Sequence, residues 1–213
     1  MSRMDREKLL LYAITDRKCI GARDFDKAIE DALRGGAGII QLREKGMDED
    51  ALVAEAIRIR ALCDRYHALL IINDNYHAAI RAGADGVHVG IEDTQVAEIR
   101  KNAPDGFIIG ATAKTVEQAQ RAQAEGADYL GVGAVFPSPT KTNAIRITPN
   151  DFRTIAQSVQ IPAVAIGGIN RTNIRQLQNI HAAGAALVSA IFAADDIASE
   201  TAAIKQICQV VFN

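Results

Sequence analysis

Gln41, Arg43 and Lys45 place an amide and two cations at alternate positions behind the apolar pair Ile39-Ile40. Side chains of an extended strand alternate between its faces, so these three share one side and Leu42 and Glu44 take the other. An amide and two cations at a strand end suit an anionic ligand; a solvated charge run is the structural alternative. Asn73-Asp74-Asn75 closes the run Leu69-Leu70-Ile71-Ile72, and Glu92-Asp93 follows Val87-His88-Val89-Gly90. Asp74 and Asp93 offer oxygen ligands with no His or Cys of ligand spacing beside them, which suits magnesium held by carboxylates and substrate phosphate. An Asx-turn at Asp74 and a helix N-cap at Asp93 are the alternatives. Gly167-Gly168 and Val188-Ser189 offer backbone N–H groups to a phosphate, beside a helix expected from Asn170, though paired glycines also make tight turns. Lys141 stands in the irregular segment Pro137-Ser138-Pro139-Thr140-Lys141-Thr142, where a lysine between hydroxyls fits a closing lid. The alternative is an ordinary exposed lysine.

A repeated pattern supplies the elements that must position these groups. Helical segments end in small Gly-Ala elements and apolar strands follow at once: Gly35-Gly36-Ala37-Gly38 before Ile39, Gly83-Ala84-Asp85-Gly86 before Val87, Gly126-Ala127-Asp128 before Tyr129, and Gly184-Ala185-Ala186 before Leu187. Strands are expected at 10–15, 39–43, 69–74, 86–90, 107–112, 129–135, 161–167 and 186–190. Amphipathic helices are expected at 48–66, 115–124 and 170–180 among others. Strict alternation of strand and helix implies right-handed βαβ units and a parallel sheet. Continuous apolar runs fit strands covered on both faces. The fold class is therefore α/β, as a single-domain (β/α)8 TIM barrel over residues 1–213 with a charged N-terminal extension at 1–8. A doubly wound open sheet is the runner-up, but no Gly-x-Gly-x-x-Gly follows the first strand. In such a barrel function sits at the C-terminal strand ends, where Thr15, Asp16 and Arg17, the groups above, and Thr112 all fall. Gly131 and Gly133 either leave open space in the mouth or mark close strand packing.

Composition narrows the classes further. The 213 residues, 48% hydrophobic, suffice for a sizeable core, and a formal net charge of -2 gives no global attraction to nucleic acid or membrane. No apolar run approaches the ~20 residues of a membrane span, and Met1 to Lys8 lacks a signal-peptide core. Cys19, Cys63 and Cys208 are odd in number and far apart, arguing against disulfides or structural zinc, so a cytoplasmic location is expected. His88 reads as a packed, hydrogen-bonded strand residue, and Cys19 lacks a base for a thiol nucleophile.

From Leu11 to Ile191 the chain resembles the thiamine phosphate synthases. The resemblance is carried by Gln41-Leu42-Arg43-Glu44-Lys45, Asn73-Asp74, Gly86-Val87-His88-Val89-Gly90 with Glu92-Asp93, Pro137 to Lys141, Ile166-Gly167-Gly168-Ile169 and Val188-Ser189-Ala190-Ile191. It implies a transferase that joins a pyrimidine diphosphate and a thiazole phosphate by a dissociative, magnesium-assisted substitution. Gln41, Arg43, Lys45, Asn73 and Lys141 would hold the diphosphate, with Arg43, Lys45 and Lys141 acting in catalysis. Asp74 and Asp93 would hold Mg2+, and Thr112, Ser138, Thr140, Gly168, Val188 and Ser189 would surround the thiazole phosphate. The family usually has Ser at Thr112, Thr at Ser138 and often Gln at Ile91; the last puts in doubt a polar contact beside the metal. A thiazole tautomerase or a non-catalytic ligand-binding regulator would share the barrel. The expected partners are the two small substrates, with no nucleic acid and no membrane, in a monomer or homodimer.

Overall fold

The eight apolar runs become eight parallel strands that hydrogen-bond in chain order and close into a barrel, β8 onto β1. The computed structural model describes residues 4–137 and 146–212. In chain order its elements are α1 Arg6–Leu9, β1 Leu11–Ile14, α2 Arg17–Ile20, α3 Phe25–Arg34, β2 Ile39–Leu42, α4 Glu49–Arg65, β3 Leu69–Asn73 and α5 Tyr76–Arg81. There follow β4 Gly86–Val89, α6 Val96–Asn102, β5 Ile108–Ala113, α7 Val116–Ala124, β6 Tyr129–Gly133, α8 Pro149–Gln157 and β7 Ala163–Ile166. A 3-10 turn at Ile174–Leu177, β8 Gly184–Leu187, α9 Ser189–Phe192 and α10 Ile197–Val211 complete it.

Helix starts follow side-chain capping. The carboxylates of Asp16, Asp24, Asp48 and Asp196, the amide of Asn75 and the hydroxyls of Thr115 and Thr148 accept backbone N–H groups of the helices they precede. At α8 the arrangement is reciprocal: Asp151 also accepts from the Thr148 N–H.

Two differences from the sequence reading change the site. The helix expected at 170–180 is only a 3-10 turn, because Asn170 Oδ1 accepts from the Thr172 and Asn173 N–H groups and ties the chain into a local turn. The strand expected at 186–190 ends at Leu187, so Ser189 stands in the first turn of α9 rather than on a strand.

The barrel separates two packed regions. Outward-facing strand residues such as Leu11, Ile40, Leu42, Leu70, Ile72 and Val87 meet the apolar stripes of the helices. Inward-facing Tyr12, Ile14, Ile39, Ile71, Ile108, Tyr129 and Val164 fill the interior, with Met4 and Leu9 packed among them. The period-two alternation decides which residue goes where.

Candidate active site

The strand that opened the sequence reading delivers its side chains as its alternation demands. Gln41 turns into the barrel at 3% exposure, and its Nε2 donates to the Tyr12 hydroxyl at 2.6 Å. Arg43 is half-buried at the rim. Its N–H donates to Thr15 Oγ1 at 2.9 Å, and its guanidinium lies 3.8 Å from the Asp16 carboxylate. Asp16 is itself fixed by accepting from the Lys18 and Cys19 N–H groups, so the two residues together aim Arg43. Glu44 takes the opposite side and pairs with Arg17 at 2.7 Å; burial raises its pKa although Arg17 opposes this. Arg17 also reaches Glu55 at 2.5 Å and stacks over the Phe25 ring. Lys45 is exposed at the mouth.

Asp74 lies just beyond β3 with φ +64, a left-handed conformation unusual for a residue with a Cβ. Its N–H still donates to the His88 carbonyl at 2.9 Å, so the turn is anchored to β4 while its side chain leaves the strand. The Asp74 carboxyl meets that of Asp93, with the Asn73 side chain bonded to it and the Lys45 charge close enough to act on it. Burial first, then the Asp93 carboxyl, pushes Asp74 up to about 6, while Lys45 and Asn73 pull the other way. Asp93 caps no helix, since α6 starts at Val96 after Gln95; instead its Oδ2 accepts from the Gly90 N–H at 2.7 Å. Asn75, not Asp74, caps α5. Two carboxylates forced together are a destabilised pair that a divalent cation would relieve, and their oxygen donors suit magnesium. Among the described residues no group of three or more His, Cys, Asp or Glu gathers, so the rest of such a coordination shell would come from substrate oxygens and water.

Across the mouth, Gly167 and Gly168 follow β7 with φ +99 and +64. The Gly168 carbonyl accepts from Asn173 Nδ2 at 2.9 Å, and a side chain at Gly168 would run into the backbone of Phe136 and Pro137. Val188 leads into α9 with no side-chain cap, its carbonyl taken by the Ile191 and Phe192 N–H groups at 3.1 and 3.0 Å. The first N–H groups of that turn, at Ser189 and Ala190, have no acceptor within the helix. Thr112 completes this side from β5, its Oγ1 3.1 Å from His88 Nε2.

Of the residues named from sequence, Lys45, Asn73, Asp74 and Asp93 therefore come together at one place. Arg43 follows the end of β2 with its guanidinium turned to Asp16, and Thr112, Gly168, Val188 and Ser189 lie at or just beyond the ends of β5, β7 and β8. Ser138, Thr140 and Lys141 lie outside the described residues. Gly131 does not leave open space: a Cβ there would stand 3.0 Å from His88 Cε1, and at Gly133 the Ile166 carbonyl occupies the position. The Cys19 thiol pKa is raised, chiefly by burial, which disfavours the thiolate a nucleophile needs. Sequence reasoning missed Tyr12 and Tyr129, two buried phenols whose hydroxyls meet at 2.8 Å inside the barrel. The available signal was a tyrosine within otherwise aliphatic strands, because a buried phenol must find a hydrogen-bond partner.

Comparison with known proteins converges on one group. Residues 11–191 match the family model described as thiamine monophosphate synthase. A protein of Fusobacterium nucleatum named thiamine-phosphate synthase is 42% identical over 193 residues, spanning 91% of this chain and 94% of that one. One from Ruminiclostridium cellulolyticum with the same name is 41% identical, spanning 92% and 94%. The solved structure of thiamine phosphate pyrophosphorylase from Pyrococcus furiosus superposes with a TM-score of 0.90 at 37% identity, covering 98% of this chain and 99% of that one.

Proposed function

Since the chain belongs to the thiamine phosphate synthase family and is thus a transferase, we propose that it condenses hydroxymethylpyrimidine diphosphate with hydroxyethylthiazole phosphate. The products are thiamine phosphate and diphosphate. The observation that carries this reading is the meeting of Lys45, Asn73, Asp74 and Asp93 at one point of the rim.

The chemistry asks for no protein nucleophile. The C–O bond to diphosphate breaks with its electron pair leaving on oxygen, helped by the electron-rich aminopyrimidine, and the thiazole nitrogen then donates its lone pair to the methylene carbon. The protein must stabilise the departing charge, align the two rings and exclude water. Arg43, held by Asp16 and Thr15, and Lys45 supply positive charge where the diphosphate departs. A unit charge pair ~4 Å apart is worth ~1 kcal/mol in water but ~4 kcal/mol at an effective dielectric of 20. One aimed cation is thus worth up to roughly three decades of rate if its pairing strengthens only as charge develops. Asp74 and Asp93 would hold magnesium, which neutralises part of the diphosphate charge when bound. Thr112, Gly168, Val188 and Ser189 would receive the thiazole phosphate from the opposite side.

Release of diphosphate from the two substrates with magnesium tests the reading, with each substrate alone as the control. Turnover requiring both is expected. Turnover of the thiazole phosphate alone would point to a tautomerase, and binding without any turnover to a regulator. No helix among the described residues is long and apolar enough to cross a membrane, in keeping with small phosphorylated substrates taken from water.

A further inference from the structure

Two one-turn helices, α2 after β1 and α9 after β8, flank the seam where the barrel closes, and one side chain bonds the far ends of both. Arg23 Nε donates to the Ile20 carbonyl at 2.8 Å and Nη2 to the Cys19 carbonyl at 2.8 Å, at the end of α2. The same guanidinium gives Nη1 to the Ala194 carbonyl at 2.6 Å and its other Nη2 hydrogen to the Phe192 carbonyl, at the end of α9. Neighbouring carbonyls are met by the backbone itself: the Gly21 N–H takes that of Arg17, and the Ala193 and Ala194 N–H groups take those of Ser189 and Ile191. Among the described residues no other side chain hydrogen-bonds the backbone of α9.

The two turns are not held equally. Asp16 caps the start of α2, and Arg17 in its first turn pairs with Glu44 and Glu55, so α2 is fixed without Arg23. A single turn such as α9 is marginal without its surroundings. Ile191 and Phe192 are fully buried, but apolar burial is non-directional and holds the turn to the wall without aiming it. The directed side-chain contacts lie at its far end, on Arg23, while its near end is the Val188–Ser189 segment assigned above to the thiazole phosphate. α2 is therefore the fixed post and α9 the held element. An arginine suits the task because its planar fork reaches four carbonyls in set directions, whereas an ammonium is a point charge with three rotating donors.

We infer that Arg23 is a positioning residue that aims the phosphate-binding segment Val188–Ser189 by tying the far end of α9 to that of α2. It acts through backbone and not by contact with the substrate. The inference rests on the proposed assignment of the thiazole phosphate to this segment.

Calorimetry with two ligands tests it. Arg23→Ala should bind hydroxyethylthiazole phosphate about tenfold or more weakly than the wild type does. Unphosphorylated hydroxyethylthiazole should bind the two proteins alike, since only the phosphate uses the segment. Guanidinium at a few tens of millimolar, far below denaturing levels, should restore the phosphate ester's affinity in Arg23→Ala and leave the wild type unchanged. In turnover, KM for the thiazole phosphate should rise while KM for the pyrimidine diphosphate holds, because α2 keeps its other ties. Unchanged affinity for the phosphate ester, equal losses for both ligands, or absence of rescue would overturn the inference. If Arg23→Ala fails to fold, Arg23→Lys keeps the charge, loses the fork and should show the same selective loss. A wild type that does not bind the thiazole phosphate would refute the assigned substrate and leave the tie to be read with inorganic phosphate. That probe should shift the Ser189 and Ala190 amide signals in NMR of the wild type and not of Arg23→Ala; no difference between the two would overturn the inference.

Discussion

The two packed regions of the barrel are built from different material. Outside the strands, Ile59 of α4, Phe152 of α8 and Phe192 of α9 press aliphatic and aromatic surface against the barrel wall. Inside, two tyrosines, a glutamine, a histidine and a threonine form a hydrogen-bonded line above an apolar floor that includes Met4, Ile39 and Ile71. Apolar burial is non-directional, so the outer layer stabilises whatever orientation the mouth requires. A hydrogen-bonded line has direction and is costly to leave half-made, so the inner one specifies geometry more than it adds stability. The division is spatial: the larger apolar cluster lies outside the wall, and the directed polar groups lie inside and above it.

The largest expected effect tests the outer half. Phe152 is fully buried in the helix-facing layer, so Phe152→Ala should cost ~3–5 kcal/mol in urea denaturation. Turnover per folded molecule should hold, because Phe152 packs in the helix-facing cluster and not in the one inside the barrel. A variant that folds as well as wild type but turns over slowly would break the division.

Next comes the mouth. Lys45 is exposed and has no part in either packed region. Lys45→Ala should lower turnover by up to about three decades, while its denaturation midpoint stays with the wild type. The reverse pattern, lost stability with turnover kept, would make Lys45 a structural residue.

Legibility in the sequence followed the same division. The outer layer and all eight strands could be read because apolar runs and Gly-Ala stops are local signals, and strand bounds fell within three residues of the expected ones. The meeting of Lys45, Asp74 and Asp93 was legible once strand ends were known to share a rim. The inner line was not. Tyr12 and Tyr129 are 117 positions apart, and each looks like an apolar strand residue until barrel closure puts their hydroxyls together. Gly131 was ambiguous for the same reason: what fills its missing side chain is His88, from another strand. Beyond β7 the helix failed because the Asn170 amide competes for the backbone, an effect decided by which of several local hydrogen bonds wins.

A smaller effect sharpens the account of the mouth. Asp74, pushed up to about 6, binds its proton more tightly folded than unfolded. Its contribution to stability is thus present below the unfolded carboxyl value of about 3.9 and is lost as pH rises through about 6. Without added metal, wild type should lose stability relative to Asp74→Asn across that window in thermal melts. Magnesium competes with the same proton, so its affinity by calorimetry should weaken about tenfold per unit below pH 6 in the wild type and be low at every pH in Asp74→Asn. Affinity independent of pH would remove Asp74 from the metal set.

The smallest effect concerns Ile91, a large apolar side chain exposed beside those carboxylates. Ile91 is 46% exposed between Gly90 and Glu92, where the family resemblance leads one to expect Gln. Asp93 does not depend on it for orientation, because the Gly90 N–H already holds Oδ2 at 2.7 Å. An exposed position away from caps and core leaves stability within about 0.5 kcal/mol when substituted. Ile91→Gln should therefore melt like wild type and bind magnesium within roughly twofold of it. A gain of tenfold or more would mean that the backbone bond at Gly90 is insufficient to aim Asp93 and that a side-chain amide at position 91 completes the metal's surroundings. The rim would then share the inner line's dependence on directed side-chain hydrogen bonds, and the contrast between the two regions would narrow to apolar wall against polar mouth.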